Sequence, residues 1–183
     1  MRVIAGKARS IPLKSVEGLD TRPTTDRIKE TLFNMLQNEL ADCLFIDLFS
    51  GSGGIGIEAL SRGARKAFFV EKAPKAVACI KENLVKTKLD EYAEVIATDA
   101  VSAVYRLDGM EPADFIFMDP PYHMQLEQQV LEALKNSSLV DEYTTIIVEA
   151  DLHTDFSFAE DLGYEIKKQK KYKTNQHVFL ERA

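Results

Sequence analysis

Residues 44–56 read LFIDLFSGSGGIG, in which a short apolar run leads into closely spaced glycines. The run from Leu44 to Phe49 predicts a buried β-strand, and the apolar residues behind the glycines predict a helix. The glycines match the pattern GxGxxG, which permits a tight turn and lets the backbone approach a ligand. This stretch therefore predicts a ligand-binding turn between a strand and a helix, at the carboxyl edge of a parallel sheet.

The same alternation of apolar run, turn and helical stretch continues along the chain. Strands are predicted at 67–70, 95–98, 115–118 and 144–148, and helices at 74–87, 100–107, 124–135 and 155–162. Residues 164–166 and 177–180 predict a closing antiparallel pair. The pattern is typical of an α/β fold, with a mostly parallel seven-stranded sheet, an antiparallel end strand, and helices on both faces.

The length of 183 residues predicts one domain, with residues 1–40 forming an N-terminal arm and helix and residues 41–183 the core. Two cysteines are too few for a disulfide framework, and three histidines far apart in sequence do not suggest a metal site. No apolar run approaches the roughly 18 residues of a membrane span. We therefore expect a cytoplasmic protein without metal or membrane.

The formal net charge of −6 argues against a polyanionic partner, but the charges are segregated. Residues 1–14 and 167–173 contain several basic residues each and no acid. Such a distribution is typical of nucleic-acid contacts, in which lysines neutralise phosphates. A solvated basic strand edge that discourages aggregation would give the same pattern.

Three acids end the first three predicted strands. Asp47 precedes the glycines, Glu71 ends the second strand, and Asp99 follows the third. A ligand with an ammonium group, ribose hydroxyls and an adenine amine, but no phosphate, suits such a crevice, and S-adenosylmethionine has these groups. Asp47 is assigned to the methionine side, Glu71 to the ribose and Asp99 to the adenine. The predicted cofactor-binding residues are Asp47, Phe49, Ser50, Gly51, Gly53, Glu71, Lys72, Asp99 and Ala100.

The fourth predicted strand ends in the turn Asp119-Pro-Pro-Tyr122. Because prolines lack amide hydrogens, the turn offers carbonyl oxygens and a carboxylate as acceptors. Such acceptors can draw both hydrogens of a base amino group out of the ring plane, which directs its lone pair toward a methyl donor. Tyr122 offers a face for base stacking. Asp119, Pro120, Pro121 and Tyr122 are therefore the predicted catalytic residues.

These motifs, together with the block RPTTDRIKETLFN at residues 22–34, resemble the RsmD-type bacterial methyltransferases along essentially the full chain. The resemblance implies a Rossmann-like class I domain that methylates a guanine N2 amine of 16S ribosomal RNA, in a subunit already assembled with ribosomal proteins. It also implies substrate contacts, which we expect at Arg9, Arg22, Thr24, Asp26, Arg27 and Tyr172.

Other functions fit parts of the sequence. The proline turn does not determine which base is methylated, so methylation of adenine N6 or cytosine N4 in DNA is an alternative. A protein glutamine methyltransferase is a weaker alternative. The glycines also suit a nicotinamide-dependent oxidoreductase, with Glu71 twenty residues after Gly51 as the ribose-binding acid. A non-catalytic cofactor-binding module would use the same crevice.

Overall fold

The computed structural model describes residues 1–18 and 24–183. The strands are β1 (Leu44–Leu48), β2 (Lys66–Val70), β3 (Ala93–Ile96), β4 (Phe115–Met118), β5 (Thr145–Asp151), β6 (Tyr164–Lys171) and β7 (Asn175–Arg182). The α-helices are α1 (Asp26–Leu36), α2 (Gly54–Ser61), α3 (Pro74–Thr87), α4 (Ala100–Leu107), α5 (Leu126–Leu134) and α6 (Phe158–Asp161).

The strands form one seven-stranded sheet in the order β3-β2-β1-β4-β5-β7-β6. Strands β1 to β5 pair in parallel, and β7 pairs antiparallel with both β5 and β6. The predicted fold is confirmed, with the antiparallel strand last in the chain but placed inside the sheet. The strand order reverses between β1 and β4, the position at which open α/β sheets form a ligand crevice.

Helices cover both faces of the sheet, because each strand alternates its side chains between two apolar layers. Phe45, Phe69 and Phe117 pack in one layer with apolar residues of α1, α2 and α3. Ile46 and Met118 pack in the other layer with α4, α5 and α6. The acids that end β1 and β4 follow the same alternation, and Asp47 and Asp119 therefore belong to the α1 face.

Some elements differ in length from the sequence prediction. The helix predicted at 155–162 is only the four-residue α6, and the strand predicted at 164–166 extends through Lys171 as β6. Every residue of β6 after Tyr164 is exposed. β6 is an edge strand that bonds only to β7, so it needs no buried face. Its lysine-rich sequence therefore lacks the alternation of apolar and polar residues by which strands are predicted.

The N-terminal arm packs on α2 through a buried acid. The Glu58 carboxylate accepts the amide hydrogens of Ile4 and Ala5 at 2.9 and 3.1 Å. It also lies 3.5 Å from Lys29 Nζ and 2.8 Å from Arg62 Nε. The side chains of Glu58 and Lys29 are both 0% exposed, so the pair neutralises two charges that water does not reach.

A second anchor joins the arm to α3. The buried Asn83 accepts from the amide of Lys14 at 2.8 Å and donates to the carbonyls of Lys14 and Ser52 at 3.0 and 2.9 Å. Ser52 belongs to the glycine-rich turn between β1 and α2. One side chain therefore fastens both the arm and this turn.

Replacing Glu58 by glutamine should strongly destabilise the fold. The change leaves Lys29 buried without its counter-charge, and removal of one partner from a buried pair lowers the free energy of unfolding by about 3–5 kcal/mol. The matched control is Glu82→Gln, which breaks the exposed 2.7 Å pair with Lys14 and should lower it by less than about 1 kcal/mol. Urea unfolding measures both, and equal small losses would contradict the assigned role of Glu58.

Candidate active site

Two cavities meet at the carboxyl ends of the parallel strands. The glycine-loop cavity, of about 560 Å³, lies among the turn after β1 and the ends of β2 and β3. The proline-turn cavity, of about 900 Å³, lies among the turn after β4, the end of β5, the start of α1 and the β6–β7 hairpin. Thr24, Asp119 and Pro121 line both cavities. Residue 119 therefore lies at the junction between them.

The glycine-rich turn depends on backbone conformations that favour glycine. Gly53 caps the start of α2 with φ of +85°, and Gly51 faces open space with φ of +56°. A Cβ atom at Gly56 would lie 2.4 Å from the ring of Phe69, so this glycine permits close packing of α2 on the sheet. The turn consequently brings its backbone to the cavity wall without side chains that would fill the space.

Asp47 lies beneath this turn, where its side chain accepts the amide hydrogen of Gly56 at 3.0 Å. The residue is 1% exposed. Burial raises the pKa of Asp47 to about 8, the hydrogen bond from Gly56 opposes the shift, and the charge of Glu71 adds to it. Asp47 thus joins β1 to α2, and a cationic ligand in the cavity would favour its charged form.

The other two predicted cofactor acids also have protein partners. Glu71 accepts the amide hydrogens of Gly51 and Ala73, both at 2.9 Å. Asp99 is the N-cap of α4 and accepts from the amide and hydroxyl of Ser102 at 2.9 and 2.6 Å, and these bonds lower the pKa of Asp99. Both carboxylates are therefore fixed at the rim of the glycine-loop cavity.

Asp119 lies beside a second carboxylate that the sequence analysis did not assign. Met118 of β4 pairs with Val148 of β5, so Asp119 and Glu149 occupy neighbouring positions, one residue further along each strand. Burial, the charge of Glu149 and then the charge of Asp47 raise the pKa of Asp119 well above its usual value. The junction of the cavities therefore favours ligands that donate hydrogens or carry positive charge.

Glu149 is held by a network of side chains. Its Oε1 accepts from Asn175 Nδ2 at 2.8 Å, and its Oε2 lies 3.0 Å from Nε2 of the buried His177. The hydroxyl of Thr24 donates to the same Oε2 at 3.4 Å. On the other side of the imidazole, the hydroxyl of Tyr172 lies 3.4 Å from Nδ1. Burial and then the charge of Glu149 raise the pKa of Tyr172 to about 12.

The structure brings most of the predicted residues to the two cavities. The glycine-loop cavity is lined by Asp47, Phe49, Ser50, Gly51, Glu71, Lys72, Asp99 and Ala100. The proline-turn cavity is lined by Thr24, Arg27, Asp119, Pro120, Pro121, Tyr122 and Tyr172. Their roles in binding and catalysis stay predictions.

Three of the predicted residues lie outside both cavities. Gly53 shapes the turn without lining the cavity. Arg9 lies in the arm outside both cavities, and Asp26 contacts Arg2 at 3.5 Å on the outer side of α1. Arg22 lies outside the described residues. Their substrate contacts therefore remain predictions.

The sequence analysis gave no role to Glu149, Asn175 or His177. The signal for Glu149 was present, because it ends an apolar strand run as Asp47 and Asp119 do. The other two are placed by the pairing of β5 with β7, in which Glu149 faces His177. Such long-range register is not readable from local sequence.

The described residues offer neither a metal-binding cluster nor a membrane span. No group of three or more His, Cys, Asp and Glu side chains in residues 1–18 and 24–183 could hold a metal ion. None of the helices in these ranges is long and apolar enough to cross a membrane.

Known proteins resemble this chain along most of its length. A provisionally named rRNA methyltransferase of Bacillus subtilis is 40% identical over 82% of this chain and 83% of its own length. The Ribosomal RNA small subunit methyltransferase D of Haemophilus influenzae is 37% identical over 82% of this chain and 79% of its own. A hypothetical protein of Thermus thermophilus, whose structure is solved, has a TM-score of 0.83 at 29% identity, covering 99% of both chains.

The model of one protein family, described as "Conserved hypothetical protein 95", matches residues 1–181. This family model spans the arm, the glycine-rich turn, the proline turn and the β6–β7 hairpin. The chain therefore belongs to this family, the RsmD family of methyltransferases.

Proposed function

We propose that the protein transfers a methyl group from S-adenosylmethionine to the exocyclic N2 amine of a guanine in small-subunit (16S) ribosomal RNA, on the assembled 30S particle. The observation that carries this proposal is the position of Asp119 and Pro121, which line both cavities. A methyl donor in one cavity and a base in the other would meet at the acceptor groups of the proline turn.

The glycine-loop cavity suits S-adenosylmethionine in its chemistry. Glu71 and Asp99 offer acceptors at its rim for ribose hydroxyls and an adenine amine. Asp47 lies beneath the turn, where a sulfonium would favour its ionised form and a pyrophosphate would oppose it. When bound, this cofactor supplies an electrophilic methyl group on a positively charged sulfur. The acid under the turn favours it over a nicotinamide dinucleotide.

The proline turn would activate the amine by accepting its hydrogens. In the proposed arrangement, Asp119 and the Pro120 carbonyl accept the two N2 hydrogens and direct the nitrogen lone pair toward the glycine-loop cavity. Nitrogen gains the methyl group, the carbon–sulfur bond breaks, and the released proton passes to Asp119 or to water. The raised pKa of Asp119 makes its carboxylate a stronger proton acceptor than an exposed aspartate. Positioning and electrostatics supply most of the acceleration.

The proline-turn cavity has features that suit an extruded base and its phosphates. Tyr122 is 39% exposed at the cavity wall and offers a face for stacking. Lys170, Lys171 and Lys173 of the β6–β7 hairpin and Arg27 of α1 also line this cavity, and these four residues are called the basic rim. The basic rim therefore gathers positive charge at one cavity in a protein whose net charge is −6. The names of the relatives support small-subunit ribosomal RNA as the partner.

Calorimetry distinguishes the two cofactors and the role of Asp119. S-adenosylhomocysteine should bind the protein, and NAD should not.

Asp119→Ala should bind S-adenosylhomocysteine with a dissociation constant within about threefold of wild type. Its rate of transfer to 30S subunits should fall by about 100-fold or more, as when one preorganised polar group is removed. Asp155→Asn, an exposed acid outside both cavities, is the control and should leave both properties unchanged. Binding of NAD alone would refute the proposal.

Mass mapping of modified nucleosides identifies the substrate. Ribosomal RNA from a strain that lacks this gene should lose a single N2-methylguanine in the small subunit, and a plasmid copy of the gene should restore it. A copy with Asp119→Ala should not restore it. An unchanged profile would remove the RNA assignment, and loss of a methylated adenine or cytosine in DNA would support the alternative substrate.

Salt titration tests the basic rim. Each lysine that neutralises a phosphate contributes about 0.7–0.9 to the slope of log binding constant against log salt concentration. The double change Lys170→Gln and Lys171→Gln should therefore reduce the slope for 30S binding by about 1.4–1.8. Lys66→Gln is the matched control, because Lys66 pairs with Glu94 at the opposite end of the strands. An unchanged slope in the double variant would place the RNA elsewhere.

A further inference from the structure

Glu149 has the position of a second acceptor in the proline-turn cavity. It follows Val148 as Asp119 follows Met118, and these two residues pair between parallel strands. Both carboxylates line the cavity, and their proximity contributes to the raised pKa of Asp119. A base that places its amine at Asp119 therefore presents the neighbouring ring position to Glu149.

The hydrogen bonds of Glu149 leave part of its acceptor capacity unused. A carboxylate has roughly four lone-pair sites. Asn175 occupies one site on Oε1, while His177 and Thr24 approach Oε2. Among residues 1–18 and 24–183, no further donor to Oε1 is described. One of its sites therefore remains, on a carboxylate that Asn175 and His177 of β7 and Thr24 before α1 hold in place. A fixed acceptor with unused capacity is suited to ligand recognition.

We propose that Glu149 selects guanine by accepting the N1 hydrogen of the base while Asp119 accepts from the N2 amine. This inference rests on the proposed function. Guanine carries N1–H and the N2 amine side by side, whereas adenine and cytosine place an acceptor nitrogen beside their amine. Such a nitrogen would face the Glu149 carboxylate with no hydrogen between the two acceptors. An enzyme strongly rejects a substrate that leaves a buried polar group unpaired in this way.

The charge of Glu149 is not explained by its structural bonds alone. A glutamine could accept from Asn175 and bond to the other tautomer of His177 without placing a second negative charge beside Asp119. A carboxylate at this position opposes ionisation of Asp119 and has no compensating cation other than a protonated His177 among the described contacts. A donor from the substrate would balance this repulsion.

The test uses 2-aminopurine, which keeps the amine at C2 but has an acceptor in place of N1–H. 30S subunits are reconstituted from ligated 16S RNA that carries either guanine or 2-aminopurine at the mapped site. Single-turnover transfer from S-adenosylmethionine labelled in its methyl group gives the rate for each. Wild type should prefer guanine by about 10- to 100-fold, the discrimination typical of one good base-edge contact.

Glu149→Gln should lower the guanine rate and narrow the preference to about threefold, since a neutral amide oxygen accepts the N1 hydrogen less strongly than a carboxylate and repels the ring nitrogen of 2-aminopurine less. Asp151→Asn is the matched control in the same cavity and should keep the wild-type preference. Differences in amine reactivity and in the O6 position between the two bases are common to all three enzymes. The ratio of the two rates therefore reports the role of residue 149.

Two results would overturn the role of Glu149 while leaving the proposed function intact. One is equal rates on both bases with wild type, a measurement that does not depend on whether the variant folds. The other is an unchanged preference in Glu149→Gln. If wild type fails to label the guanine-containing subunits, the proposed function itself is wrong, and the role of Glu149 falls with it.

Discussion

The site depends on the close approach of three carboxylates at the ends of adjacent strands. Burial and then repulsion by the charges of Glu149 and Asp47 raise the pKa of Asp119. The fold tolerates the arrangement because Gly56, Asn175 and His177 supply hydrogen bonds to two of the acids. Asp119 keeps its acceptor capacity for the two cavities that it lines. A sulfonium and an amine are the kinds of ligand that relieve such repulsion.

Under the proposed function, the distribution of charge separates recognition of RNA from chemistry. Acids concentrate at the strand ends, while the lysines occupy the exposed edge strand β6 and the hairpin that follows it. Basic groups on the rim attract phosphates at long range, whereas acceptors inside engage only a base that has left its stack. The net charge of −6 is therefore a poor guide to the partner, because the sum hides this separation.

Much of the fold and part of the site follow from local sequence. Apolar strand runs that end in an acid identified Asp47 and Asp119, since parallel strands present their carboxyl ends at one edge of the sheet. Local sequence did not identify His177, which reaches Glu149 only through the register of β7 on β5. The strand predicted from local sequence was also shorter than β6, because an exposed edge strand carries no alternating pattern of apolar and polar residues.

The N-terminal arm links the two halves of the site. Asn83 bonds both Lys14 of the arm and Ser52 of the glycine-rich turn, and the buried Lys29 of α1 donates to the carbonyl of Arg2 at 2.6 Å. The chain that leads into α1 then places Thr24 between the two cavities, within reach of Glu149. A shift of the arm would therefore move the glycine-rich turn and α1 together. The family model covers the arm as well as the core, and Met1, Ser15 and Val16 of the arm line the glycine-loop cavity.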